Sequence, residues 1–165
     1  MLTGERVLSD LDDDSEPGVQ EIMAASVLTV DATATVKDAA VLMSKKAYGC
    51  VLVVEGHRAI GIITERDIVR QIAAEGVDPS KVRAADVMST PLVTIPVEST
   101  IMEAAERMST YGIRRIVVVN DDGALAGLLT AGDLAKWLAK QKNYTDSALN
   151  AIARLKRIGT GGPYG

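Results

Sequence analysis

The sequence has one cysteine, one histidine, one tryptophan and no phenylalanine among 165 residues. A single cysteine, Cys50, forms no internal disulfide and supplies no cysteine-rich metal site. Aromatic residues make up 3% of the chain, so the stacking platforms that hold single-stranded nucleic acid are missing. The only histidine, His57, stands in a polar stretch with no serine or cysteine motif around it, which argues against nucleophilic catalysis. No phosphate-binding lysine loop, dinucleotide glycine fingerprint or metal-spaced His/Cys cluster occurs. An enzyme is therefore not expected. No apolar run approaches the ~20 residues that cross a bilayer; the densest are 51–54 and 116–119. The first six residues hold no signal-peptide apolar region, and the simplest reading is a soluble cytoplasmic protein.

What is present is a globular composition, 47% hydrophobic with mean hydropathy +0.14. A chain of this length buries a substantial core. The net charge of -4 is uneven. Residues 1–20 hold six acidic residues and one basic, so they carry -5 and leave +1 for the rest. A near-neutral body argues against nucleic acid as a general partner.

From about residue 19 the chain repeats itself. A shift of 65 places Met23 on Met88, Thr35 on Thr100, Met43-Ser44 on Met108-Ser109 and Val53-Val54 on Val118-Val119. One extra residue in the turn 120–123 moves the offset to 66, and Gly61, Thr64 and Asp67 then fall on Gly127, Thr130 and Asp133. Register kept through one turn insertion signals duplication. Each copy reads as an extended piece (27–30, 92–95) and then a helix opened by Thr35-x-x-Asp38 or Thr100-x-x-Glu103. A hairpin follows, and a second helix opened by Thr-x-x-Asp closes the unit. The unit is β-α-β-β-α. The expected organisation is an acidic flexible leader (1–18), repeat 1 (19–76), a linker (77–83), repeat 2 (84–142), a C-terminal helix (143–158) and a disordered tail (159–165). The apolar stripe Leu149, Ile152, Leu155 in that helix covers the core or forms a dimer surface; both readings stand.

The motif of most interest is Gly61-Ile-Ile-Thr64-Glu-Arg-Asp67 and its echo Gly127-Leu-Leu-Thr130-Ala-Gly-Asp133. The aliphatics end a buried strand, and the threonine and aspartate sit in the first turn of a helix. Free backbone N–H groups, a hydroxyl and a carboxylate meet there, and the carboxylate can accept two hydrogen bonds from a ribose diol. Thr-x-x-Asp is equally a capping box, which needs no ligand. Two copies in matching places favour a site, with capping as a second role.

The tandem unit, with the segments YGIRRIVVVNDDGALAGLLTAGDL and GIITERDIV, resembles the cystathionine-β-synthase (CBS) domain pair over about residues 19–140. The resemblance implies an α/β (mixed α+β) fold with two repeats packed about a pseudo-twofold axis and two clefts between them. It further implies a regulatory module that binds an adenosine-containing ligand, works without a required cofactor, forms a homodimer and acts on an effector protein. Carried over position by position, site A takes Thr64 and Asp67 for ribose, the backbone at Gly61 and Ile62, and Leu92 and Val93 around the base. Ile113, Arg114 and Arg115 face its phosphate, with Arg66 adding charge. Site B takes Gly127, Leu128, Thr130 and Asp133 with Val27, Leu28, Tyr48, Gly49 and Cys50. The basic pair Arg114-Arg115 matches Gly49-Cys50 in the other half, so site A is expected to hold the phosphorylated ligand: AMP, ADP or ATP. The bland reading of that pair is two solvated charges before a strand, and strand alternation allows only one of them inward. S-adenosylmethionine is a further candidate ligand. The alternatives are a structural oligomerisation module with closed clefts and a nucleic-acid-binding regulator.

Overall fold

The computed structural model describes residues 17–140. The acidic leader up to residue 16, the expected C-terminal helix and the tail lie outside the described residues.

The two β-branched runs form the central strands of two three-stranded sheets. In the first half, β1 (Thr29–Asp31) runs parallel to β2 (Cys50–Glu55), and β2 pairs antiparallel with β3 (Arg58–Thr64). Helix α1 (Val36–Lys46) crosses from β1 to β2, and α2 (Glu65–Ile68) leaves β3 and continues as a π-helical turn, Val69–Ala73. After a short helix α3 (Ala84–Val87), the second half repeats the order. Strand β4 (Thr94–Pro96) lies parallel to β5 (Arg115–Val119), and β5 pairs antiparallel with β6 (Leu125–Thr130). Helix α4 (Ile101–Tyr111) crosses between β4 and β5, and α5 (Ala131–Lys140) closes the unit. Both hairpins carry a bulge at the same place, between Val53 and Val54 and between Val118 and Val119. The duplication seen in the sequence is thus a duplication of register.

The helix starts follow from the capping residues. The Asp38 amide donates to Thr35 Oγ1 at 3.1 Å and the Thr35 amide to Asp38 Oδ2 at 3.0 Å. Thr100 and Glu103 repeat the exchange at 3.1 and 2.8 Å. At the other end, Gly76 takes φ +64°, the left-handed conformation that stops the helix after β3. The first strands begin two residues later than the sequence pattern suggests, because only Thr29–Asp31 and Thr94–Pro96 reach the ladder.

The halves are joined by crossed segments. The stretch before each repeat docks on the other repeat. Ala24 bridges Leu128 through paired amide–carbonyl bonds of 2.9 and 3.0 Å, and Ser89 bridges Ile62 through bonds of 2.9 and 3.2 Å. Gly18 likewise bridges Thr100, and Arg83 bridges Thr35. Helix α3, which the sequence places in repeat 2, therefore packs Ala84 into the first half's core beside Ala32, Ala39 and Met43. Val19 joins the second half's core with Ile101 and Met108. A shared core runs through the middle, where Cys50, Leu52 and Ile62 of one half meet Ile116, Val117 and Leu128 of the other. Among the described residues no helix is long and apolar enough to cross a membrane.

Candidate ligand-binding site

Each second hairpin strand ends on a threonine that caps the next helix. The Thr64 amide and hydroxyl donate to Asp67 Oδ2 at 2.8 and 2.7 Å, and the Asp67 amide donates back to Thr64 Oγ1 at 3.3 Å. Thr130 and Asp133 show the same exchange at 3.0, 2.6 and 3.2 Å. The capping box is therefore real in both copies, yet it uses one carboxylate oxygen. Oδ1 of each aspartate has no hydrogen bond among the described residues.

The two junctions differ in what surrounds them. A cavity of about 380 Å³ gathers Val27, Leu28, Tyr48, Gly49, Cys50, Leu128, Thr130 and Asp133, every residue assigned from the sequence to site B other than Gly127. Four further residues line it: Ala24, Leu52, Arg115 and Lys136. Leucine and valine side chains make one wall, and Asp133, Arg115 and Lys136 bring charge to it. Lys136 lies one helical turn past Asp133, a spacing that puts both on one helix face.

The residues expected for site A do not come together in the same way. Leu92, Val93 and Ile113 line a second cavity of about 520 Å³ with Thr90, Pro91, Thr94, Arg107 and Tyr111. Thr64, Asp67, Gly61, Ile62, Arg66 and Arg114 are not part of that lining. Ile62 is buried and paired with Ser89, Thr64 is 4% exposed, and Arg114 is exposed. Arg115, expected beside Thr64 and Asp67, lines the Thr130–Asp133 cavity instead. Arg115 stands directly opposite Thr130 across the β5–β6 pair, and opposed residues share a face of the sheet. Only one of the two arginines turns inward, as alternation requires.

Gly61 and Gly127 are buried sockets for the crossed segments. A Cβ on Gly61 would overlap the Met88 thioether and stand 2.8 Å from Met88 Cβ. One on Gly127 would lie 2.8 Å from both the Ala24 carbonyl oxygen and Met23 Sδ. Met88 and Met23, which the repeat places on matching positions, are the knobs that fill these sockets.

Cys50 lies at the cavity wall, 8% exposed. Burial pushes its thiol up from the usual range; Arg115, which hydrogen-bonds it, pulls it down in part, and Glu65 adds to the rise. A neutral thiol is a weak nucleophile, so Cys50 reads as wall rather than reactive centre. His57 is exposed in the first hairpin turn, and its carbonyl accepts the Leu125 amide at 3.0 Å. No group of His, Cys, Asp and Glu with metal-holding geometry occurs among the described residues.

Sequence reasoning missed Ala24, Leu52, Arg115 and Lys136 as members of this cavity. Lys136 was open to discovery through its three-residue spacing from Asp133. Ala24 was not, because its docking on the other half leaves no local trace.

The model of the CBS domain matches residues 19–74 and 84–140. The uncharacterized protein MK0525 of Methanopyrus kandleri is 38% identical over 117 residues, which cover 70% of this chain and 60% of that protein. The chain thus spans less than two thirds of that relative. The CBS domain-containing protein YhcV of Bacillus subtilis is 35% identical over 117 residues, covering 71% of this chain and 82% of YhcV. Among solved structures, the CBS domain protein PAE2072 from Pyrobaculum aerophilum, complexed with AMP, superposes with a TM-score of 0.67 at 26% identity. That match covers 82% of this chain and 98% of PAE2072. Two family matches in the places where the duplicated strands and helices stand leave one conclusion: the chain belongs to the CBS domain family and carries a pair of CBS repeats.

Proposed function

We propose that this chain is a regulatory module that binds an adenosine nucleotide in the cavity between Val27 and Asp133 and passes occupancy to an effector protein. The observation that carries this reading is the cavity itself. It combines an aspartate with one oxygen that bonds to nothing among the described residues, two cations and an apolar wall within about 380 Å³. That volume falls in the range of ~300–1,000 Å³ usual for small-molecule sites. Asp133 suits a ribose diol, the apolar wall suits a base, and Arg115 and Lys136 suit a phosphate. The complex of PAE2072 with AMP supports the same class of ligand. The charge balance favours AMP, ADP or ATP over S-adenosylmethionine, whose sulfonium would meet two cations.

This moves the phosphorylated ligand from the site first expected to the opposite one. Thr64 and Asp67 keep the ribose pattern, but the inward arginine faces the other cavity. Output follows from position: the ligand would touch both halves, and it shifts their arrangement only by its differential affinity for two states.

The test is a thermal-melt series with AMP, ADP, ATP, adenosine and S-adenosylmethionine, with calorimetry on each ligand that shifts the melt. A ligand at a hundredfold excess over its Kd stabilises the folded state by about 2.7 kcal/mol. Arg115→Ala, which leaves Lys136 in place, is expected to lower AMP affinity toward that of adenosine while sparing adenosine itself. The reading fails if none of these ligands shifts the melt; closed clefts and a structural oligomerisation role would then stand. A homodimer belongs to the proposal too. Val41, Val69 and Tyr111 are 42%, 60% and 57% exposed on helical segments and offer it an apolar surface. Sedimentation that finds only monomer would remove it.

A further inference from the structure

Helices α1 and α4 hold the same place in the two halves, and their inner faces match. Val36, Ala39 and Met43 are buried on one as Ile101, Ala104 and Met108 are on the other. Their outer faces differ in charge. On α1 the exposed residues Lys37, Val41 and Lys45 follow one another at four-residue steps along one face, with Lys46 beside the last of them. A shift of 65 puts Met102, Glu106, Thr110 and Tyr111 in those places. The duplicated helices thus kept their buried side and diverged outside, one to lysine and the other to glutamate.

The α4 side is also concave. Glu103, Glu106, Thr110 and Tyr111 line a groove of about 500 Å³ together with Ile95 and Pro96. Arg107 lines it too, with its Nη1 donating to the Thr94 carbonyl at 2.7 Å. On α1, by contrast, Val41 stands 42% exposed between two lysines. The one acid of that helix, Asp38, is drawn back onto Thr35 by its capping bonds. No ion pair among the described residues uses Lys45, Lys46 or Glu106.

We infer that two copies of this chain associate with α1 of one copy laid along the α4 groove of its partner. Pairing α1 with α1 sets lysine against lysine, and pairing α4 with α4 sets glutamate against glutamate. Of the three pairings only the crossed one brings opposite charges together, and it also gives Val41 an apolar seat at Ile95 and Pro96. Made reciprocally, the contact closes a dimer. The first half of each copy then stands beside the second half of the other. This inference rests on the homodimer in the reading above and is independent of the nucleotide.

Sedimentation of the full chain at low salt would compare wild type with Lys45→Glu, Glu106→Lys and the variant that carries both. Each single reversal is expected to weaken the dimer about tenfold or more, because it sets like charge against like at both crossed contacts. The joint variant exchanges the two signs and is expected to return to near wild-type association. Added salt should weaken both. Lys45 and Glu106 are exposed, so the reversals carry little folding risk. If a reversal lowers the melting temperature, the neutral K45Q and E106Q carry the test, each with a smaller loss of association. A wild type that stays monomeric removes the homodimer and this inference with it. A dimer that neither the reversals nor the neutral variants change, or that K45E tightens, leaves the homodimer standing and overturns the crossed pairing. A joint variant as weak as the single ones overturns it too.

Discussion

Gly61→Ala is expected to destabilise the fold by about 1–3 kcal/mol, the usual cost of forcing a methyl group into a filled interior. The demand at Gly61 is for space rather than for an unusual backbone angle, since Gly61 is not among the glycines with positive φ. The added carbon would meet Met88 at its thioether and at its Cβ, 2.8 Å away, so the side chain cannot escape by turning its tip. The clash is with one residue, and that makes it testable as a pair. Met88→Ala in the Gly61→Ala background removes the obstruction, so the double variant should be more stable than the two single losses predict. A coupling of about 0.5–3 kcal/mol is the scale for residues in contact. Urea denaturation of the four proteins measures it, and strictly additive losses would sink the socket reading. Gly127 should behave differently. There the new carbon also meets the Ala24 carbonyl oxygen at 2.8 Å, which is backbone locked into the bridge with Leu128. Met23→Ala should therefore rescue Gly127→Ala less well than Met88→Ala rescues Gly61→Ala.

The second large effect separates the two aspartates. Asp133→Ala is expected to weaken AMP binding by at least tenfold, while Asp67→Ala leaves it within a small factor of wild type. A hydrogen bond to a charged group contributes about 1.5–3 kcal/mol, so losing one from Asp133 to a ribose accounts for a drop of tenfold or more. Both variants also lose the returning arm of a capping box, the carboxylate that accepts the threonine amide and hydroxyl, and with it a comparable share of stability. The shared loss of stability and the unshared loss of binding distinguish the two roles of the motif. Melting curves without ligand read the cap; calorimetry with AMP reads the site. Asp133→Asn keeps the shape while removing the charge, and it controls for damage to the fold. Equal loss of AMP affinity in the Asp67 and Asp133 variants would place ligand at both junctions or at neither, and would contradict the assignment to one cavity.

Much of the fold was legible because it is local and stated twice. Thr35 with Asp38 and Thr100 with Glu103 declare helix starts by capping chemistry, and the β-branched runs declare buried strands. The one-residue difference between the turns leaves the hairpin register intact. Eight of the twelve residues that line the Thr130–Asp133 cavity were also grouped in the sequence, through the crossed pattern of the resembling family. The path of the crossed segments was not. Nothing near Ala24 or Ser89 says that each pairs with a strand of the other half, so the division at residues 77–83 looked like a simple linker. The true role of Gly61 and Gly127 was hidden for the same reason, since a socket is visible only with its knob. The face of Arg115 was hidden by a different cause. Arg114-Arg115 fixes that one arginine points inward, but which cleft receives it depends on pairing across to Thr130 and on where the two halves meet.

The crossed docking sets an order in time. On a ribosome, the chain grows at about 5–20 residues per second and earlier segments fold as their partners appear. The stretch that carries Arg83 and Ser89 emerges after Thr35 and Ile62, so the first sheet can complete its edge at once. Ala24 must wait for Leu128, roughly a hundred residues and several seconds later, although it is among the first of the described residues to be made. An early segment among the described residues thus waits for a late one, and the cavity that Ala24 and Leu128 both wall cannot exist until most of the second half has been made.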